Sequence, residues 1–219
     1  MRQPLFAVYG ASGYGREVMP FAREQPNTQG LPAGRLVFVD DNREANPLNG
    51  HRVLTYEEFI AAEASDRFVS FAIANSAIRA TLAAKCEGDG VLPWSLRASN
   101  AIVMDSVRIG VGAILCPFVT LTSNIQIGRY FHANIYSYVA HDCEIGDFVT
   151  FAPGVQCNGN VVVEDHAYVG SGAILRNGRP NKPLRVGRGA VVGMGSVVTK
   201  DVPAGVTVVG NPARPLAER

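Results

Sequence analysis

A six-residue period runs unbroken from Val103 and limits what the second half of the chain can fold into. Its first position reads Val103, Ile109, Leu115, Leu121, Ile127, Ala133, Val139, Ile145, Phe151, Cys157, Val163 and Val169, all apolar. Four places later stand Val107, Ala113, Val119, Ile125, Phe131, Ser137, Cys143, Val149, Val155, Val161, Ala167 and Ala173, apolar but for the serine. A hexad is too short for a pair of helices and too regular for hairpins. Such a repeat points to a solenoid whose units bury one another's faces. Three hexads make one triangular coil of 18 residues, and coils stack at the interstrand spacing of ~4.8 Å. Glycine follows the first position at Gly110, Gly128, Gly146 and Gly170, where backbone freedom is expected to serve sharp turns. The period stops at Leu175 and resumes at Val186. The gap, residues 176–185, holds two prolines and four basic residues and reads as a loop pushed out of the solenoid.

Residues 1–95 follow another pattern, which sets a domain boundary between 95 and 96. Leu5–Tyr9 reads as a strand that enters Gly10-Ala11-Ser12-Gly13-Tyr14-Gly15, followed by a helix from Arg16 to Glu24. Arg35–Val39 is a second strand ending at Asp40-Asp41-Asn42. Thr55-Tyr56-Glu57-Glu58 has capping-box spacing and opens a helix. Phe68–Ile73 is a third strand, Ile78–Cys86 a helix and Val91–Trp94 a last short strand. Alternating strands and helices imply a small, Rossmann-like parallel α/β sheet. Ligands on such sheets sit beyond the carboxyl ends of the strands. The loops there are Gly10–Gly15, Asp40–Asn42 and Asn75–Ser76. The glycine spacing is G-x-x-G-x-G, not the G-x-G-x-x-G of dinucleotide enzymes. It suits a phosphate at a helix N-terminus or simply a tight turn. Asp40 suits a ribose or base edge, or a turn cap.

Composition removes several classes of function. The 219 residues are 47% apolar and 18% charged, with a formal net charge of +1. That is a globular chain with no general attraction to nucleic acid or acidic membranes. No apolar run reaches the ~18 residues of a membrane span, and the N-terminus does not read as a signal peptide. Cys86, Cys116, Cys143 and Cys157 form no C-x-x-C pair and read as buried, reduced thiols of a cytoplasmic protein.

His141 is the candidate base. It takes an outward place in its hexad, and Asp142 follows it directly, so a coil corner would bring imidazole and carboxylate together. Gly159 lies one 18-residue coil after His141 and stacks beside it, offering either an open backbone N–H for an oxyanion or a turn glycine. The repeat holds two further histidines, His132 and His166. Their phases within the coil differ, so three imidazoles are not expected to converge on a metal, and no metal is expected.

The ordered set Gly10–Val18, Val39-Asp40-Asp41, Ala74-Asn75-Ser76-Ala77-Ile78-Arg79, His141–Phe148, Cys157–Val161 and Val208–Arg214 resembles the nucleotide-sugar acetyltransferases that make bacillosamine- and perosamine-type sugars, with sialic acid O-acetyltransferases as cousins. The resemblance spans nearly the whole chain. It implies that residues 96–219 form a left-handed parallel β-helix of hexapeptide repeats. It implies a homotrimer with acetyl-CoA as co-substrate between subunits, and N-acetylation of the 4-amino group of a nucleotide-linked 4-amino-4,6-dideoxy sugar, GDP-linked perosamine being favoured. By resemblance His141 is the catalytic histidine, with Asp142 where some relatives carry glutamate, and Gly159 is the oxyanion donor. Gly13, Tyr14, Gly15, Asp40, Asp41 and Asn75 match nucleotide-sugar contacts, and Asn134 falls near the reacting sugar. Thr150, Ser171 and Met194 fall where relatives contact the coenzyme. Arg179, Lys182 and Lys200 offer charge for its phosphates, or a solvated loop. Transfer to a sugar hydroxyl and a non-catalytic assembly module are the competing readings.

Overall fold

The computed structural model describes residues 3–42 and 45–216. The chain divides into two compact units, one ending at Ser99 and one beginning at Asn100. Among the described residues no helix is long and apolar enough to cross a membrane.

The first unit holds β1 (Leu5–Tyr9), α1 (Gly13–Ala22), β2 (Leu36–Val39), β3 (Val53–Leu54), α2 (Tyr56–Ala61), β4 (Arg67–Phe71), α3 (Ser76–Gly88) and β5 (Leu92–Pro93). The sheet order is β3-β2-β1-β4-β5, with every pairing parallel. β1 and β2 are buried at every residue, as a sheet covered on both faces requires. The expected capping box opens α2: Thr55 accepts from the Glu58 N–H, and Glu58 accepts from the Thr55 N–H at 2.9 Å. Two features depart from the sequence reading. β3 is only two residues long and left no periodic signal. α1 begins at Gly13, not Arg16, so Gly13, Tyr14 and Gly15 form its first turn. A side chain on Gly15 would run into the Gly10 carbonyl oxygen, so glycine there lets the helix start directly over the end of β1.

The second unit is a left-handed parallel β-helix. Strand partners are 18 residues apart: Leu121 lies beside Val139, Ile127 beside Ile145 and Ala133 beside Phe151. From Leu115 onward every first-position residue is buried, and from Ala113 onward every fourth-following residue is too. Val107 and Ile109, on the opening coil, are part-exposed or exposed. Ser137 is a polar exception inside, and its hydroxyl donates to the Ala152 carbonyl at 2.9 Å and accepts from the Val155 N–H at 3.3 Å.

A second six-residue period runs through the backbone. Ser106, Gly112, Phe118, Asn124, Tyr130, Tyr136, Asp142, Phe148, Gly154, Asn160, His166 and Gly172 all have φ between 56° and 74°. They mark the three corners of successive coils. Asparagine and aspartate tolerate this left-handed conformation; bulky residues resist it. The aromatic corner residues are stacked one coil apart, Phe118 on Tyr136 at 4.9 Å, Tyr130 on Phe148 at 5.1 Å and Phe148 on His166 at 5.2 Å. Stacking of this kind contributes about 0.5–1.5 kcal/mol per pair against the local strain.

The hexad glycines serve a different purpose from the one expected. Gly110, Gly128, Gly146 and Gly170 do not have positive φ. They are needed because the next coil passes too close: a Cβ on Gly170 would lie 2.6 Å from the Met194 nitrogen, and one on Gly110 would lie 2.6 Å from the Gly128 carbonyl carbon. Gly170→Ala is therefore expected to destabilise the chain by about 1–3 kcal/mol, the usual cost of overpacking. A lowered urea midpoint at constant m-value checks this.

The loop at 176–185 adds five residues to one coil. Cys157 pairs with Leu175, 18 residues on, whereas Val163 pairs with Val186 and Leu175 with Val198, each 23 on. The excess is a tight antiparallel excursion in which Arg179 and Lys182 exchange backbone hydrogen bonds of 3.0 and 2.9 Å.

Candidate active site

The corner at Asp142 gathers the chemistry of the second unit. The positive φ of Asp142 (58°) turns its carboxylate back onto the preceding residue. His141 Nδ1 and Asp142 Oδ2 are 2.7 Å apart, both side chains about half exposed. A carboxylate only accepts, so the neutral imidazole carries its proton on Nδ1 and leaves Nε2 as a lone-pair acceptor. Asn124 Nδ2 approaches the other carboxylate oxygen at 3.4 Å.

Gly159 stacks on this imidazole. A Cβ there would lie 2.5 Å from His141 Cε1 and 2.6 Å from Nε2. Its φ is not positive, so the residue is required by the ring and not by a turn. The open N–H expected of Gly159 is occupied: it donates to Asn177 Oδ1 at 3.2 Å. His141, Gly159 and Asn177 are thus one residue from each of three consecutive coils, spaced by 18.

Interior groups hold this file in place. The Cys143 thiol lies 3.6 Å from the His141 carbonyl oxygen and 3.2 Å from that of Asn158, tying the two coils below the imidazole. All four cysteines are free and buried. The hydrogen bond that the Cys157 thiol makes to Cys143, together with burial, raises Cys157 well above its ordinary value, so it stays protonated. The Tyr138 hydroxyl donates to Asn158 Oδ1 at 2.8 Å, and Asn158 Nδ2 donates to the Leu175 carbonyl at 2.8 Å. Burial and the neighbouring Cys157 push the tyrosine's pKa up, keeping it a donor. The motifs contain Cys143 and Asn158 and stop short of Tyr138, and the supporting roles of all three are set by contacts between coils. The signal for Asn177 was its phase, equal to that of Gly159.

The other expected residues lie elsewhere on the coils. Asn134 precedes the corner at Tyr136, and its Nδ2 is held by the Phe151 carbonyl at 2.8 Å. Ser171 and Met194 are exposed beside Gly172 and Gly195, in the same file as that corner. One chain therefore does not bring Asn134, Ser171 or Met194 to the His141 corner. Thr150 is 2% exposed, in register with His132 and Tyr168. Arg179, Lys182 and Lys200 are exposed. Among the described residues no group of three His, Cys, Asp or Glu side chains is placed to hold a metal.

In the first unit, a cleft of about 380 Å³ opens beyond the carboxyl ends of β1 and β2. Gly13 and Asp40 line it, together with Ala11, Ser12, Arg16, Asn42, Ala45 and Leu48. Asp40 binds the loops to each other, accepting from the Ala11 N–H at 2.8 Å and the Asn42 N–H at 3.0 Å. The remaining expected contacts do not line this cleft. Asp41 is exposed, and its carboxylate accepts from the Tyr9 hydroxyl at 3.0 Å and the Tyr56 N–H at 2.7 Å. Burial and that carboxylate raise the Tyr9 pKa, so its hydroxyl remains a donor. Gly15 packs on Gly10, Tyr14 is half-buried in the first turn of α1, and Asn75 caps α3 by accepting from Ala77 and Ile78 N–H groups at 3.0 and 3.1 Å. Buried Arg79 steadies the Asn75 loop through the Ile73 carbonyl at 2.6 Å, and burial lowers its pKa to about 10. Arg16 is the residue that the motif contained and the sequence reading did not single out. It brings a guanidinium to a helix N-terminus whose Ser12 cap makes no side-chain hydrogen bond, a pairing suited to phosphate.

A family model described as the PglD N-terminal domain matches residues 6–86. Over 212 residues the chain is 50% identical to a GDP-perosamine N-acetyltransferase of Escherichia coli O157:H7, covering 97% of this chain and 96% of that protein. WeeI from Acinetobacter baumannii AYE is 56% identical with a TM-score of 0.95, over 98% of this chain and 100% of that one. The acetyltransferase domain of PglB from Neisseria gonorrhoeae FA1090, solved in complex with acetyl coenzyme A, is 29% identical with a TM-score of 0.86, over 99% and 100%.

Proposed function

Since the chain belongs to the nucleotide-sugar N-acetyltransferases, we propose that it acetylates the 4-amino group of a GDP-linked 4-amino-4,6-dideoxy sugar such as perosamine, with His141 as proton acceptor. The observation that carries this reading is the His141–Asp142 pair seated on Gly159. Acetyl-CoA supplies the acetyl thioester. The sugar amine attacks its carbonyl carbon, and the C–S bond breaks as the thiol leaves. His141 Nε2 takes the proton that the nitrogen sheds, the task of a positioned general base. Asp142 holds the ring in the tautomer that leaves Nε2 free. The Gly159 N–H donates to the carbonyl oxygen as negative charge builds there.

In this reading residues 1–95 bind the nucleotide-sugar and residues 96–219 hold acetyl-CoA. The cleft between Gly13 and Asp40 takes the diphosphate, with Arg16 as its counter-charge. Tyr14, Gly15, Asp41 and Asn75 set the shape of the loops around it. The chain works as a homotrimer in the cytoplasm. Two observations favour the trimer. Phe118, Tyr136 and Met194 are exposed at 52%, 62% and 81% on one corner, and Asn134, Ser171 and Met194 need a second subunit to approach a His141.

Arg179 and Lys182, paired across their tight excursion, and Lys200 offer charge to the coenzyme phosphates. Joint replacement Arg179→Ala with Lys182→Ala is expected to raise KM for acetyl-CoA about three- to tenfold, as loss of solvent-exposed ionic contacts does. An unchanged KM would remove them from the site. The reaction itself is tested by thiol release from acetyl-CoA with GDP-, UDP- and dTDP-linked 4-amino sugars, each alone. Turnover with the GDP sugar and a product heavier by one N-acetyl group supports the proposal. Turnover with another nucleotide corrects the base. Silence with all three, together with acetylation of a sugar hydroxyl, overturns it.

A further inference from the structure

The Gly159 N–H carries a further inference, because its partner is unlike those at equivalent places in the coil. The residue just before a left-handed corner position has no strand carbonyl to bond, and three such N–H groups are met instead by a side chain 18 residues on. Arg129 N–H donates to Asp147 Oδ1 at 2.7 Å, and Asp147 N–H to Asp165 Oδ1 at 2.8 Å. Gly159 N–H donates to Asn177 Oδ1 at 3.2 Å. The first two caps are carboxylates, which make short, charge-assisted bonds. The third is a neutral amide at a longer distance, and it stands where the imidazole of His141 meets the chain. Asn177 is exposed. It also sits at the root of the five-residue excursion, where the Gly178 N–H bonds the Gly159 carbonyl at 2.9 Å and fixes the backbone independently of the side chain.

We propose that Asn177 is a positioning residue whose carboxamide oxygen holds the place of the thioester carbonyl on the Gly159 N–H and yields it when acetyl-CoA binds. This rests on the reading of Gly159 as the carbonyl donor. A carboxylate at 177 would hold the N–H too firmly to be displaced; an alanine would leave it to water. The amide keeps the N–H aimed while the site is empty, at a modest cost in affinity.

The test uses the full-length protein and compares acetyl-CoA with CoA, which lacks the carbonyl. Asn177→Ala is expected to bind acetyl-CoA about three- to tenfold more tightly by calorimetry, the worth of one displaced neutral hydrogen bond, with a matching fall in KM. Its affinity for CoA should not change. Asn177→Asp is expected to weaken acetyl-CoA relative to CoA. A purely structural cap gives the opposite order, with aspartate tolerated and alanine impaired, and that result would overturn the proposal. So would an Asn177→Ala variant with unchanged affinity for acetyl-CoA. The Gly159 amide resonance in glycine-labelled protein separates the two readings. If it shifts with acetyl-CoA and not with CoA while the alanine variant gains nothing, only the role of Asn177 falls. If it shifts with neither, the carbonyl-donor reading of Gly159 falls as well.

Discussion

Replacing His141 by alanine or asparagine is expected to lower kcat/KM by about a hundredfold or more, within the range usual for loss of a positioned general base. The imidazole is held by Asp142 at 2.7 Å and faces Gly159, and neither replacement offers a group that can take up a proton in that place. The loss should be partial on an amine. A neutral amine attacks without first being deprotonated, and water can collect the proton afterwards. It should be nearly complete on a hydroxyl, which must give up its proton as it attacks. If kcat/KM stays at the wild-type level across the pH range, His141 has no part in the chemistry.

Gly159→Ala is expected to be comparably damaging for a different reason. The added methyl group would fall 2.5–2.6 Å from His141 Cε1 and Nε2, well inside contact distance, and a ring edge cannot yield without rotating off Asp142. A displacement of about 1 Å in a catalytic group lowers rates by roughly a hundredfold. The backbone here needs no positive φ, so alanine is tolerated by the chain itself. The expected signature is therefore a loss of kcat with little change in unfolding midpoint. A midpoint that falls in step with activity would assign Gly159 to stability instead.

The solenoid was legible because its determinant is local and repeated. Inward positions recur every six residues, and from Leu115 to Val198 the residues at those positions are buried. The His141–Asp142 pair was legible too, since only a corner makes adjacent side chains meet. What sequence could not carry was everything fixed by the neighbouring coil or by another strand. The glycines after the first position looked like turn formers, but what excludes a side chain there is backbone one coil away. The hydrogen bonds of Asp41 to Tyr9 and Tyr56, 32 and 15 residues distant, left no local signal. Thr150 sits between two apolar hexad positions and would be read as outward; its burial is a property of the folded surface. β3, with two residues, is too short to show any period.

The excursion at 176–185 shows how this scaffold separates inheritance from adaptation. Leu175 and Val198 face each other across 23 residues as Cys157 and Leu175 do across 18, so the interior does not register the extra length. Insertions and deletions in the span 179–182 are invisible to the packing that holds His141 and Gly159. A lineage can therefore lengthen, shorten or recharge that segment freely, trying new coenzyme or acceptor contacts while the catalytic corner is passed on unaltered.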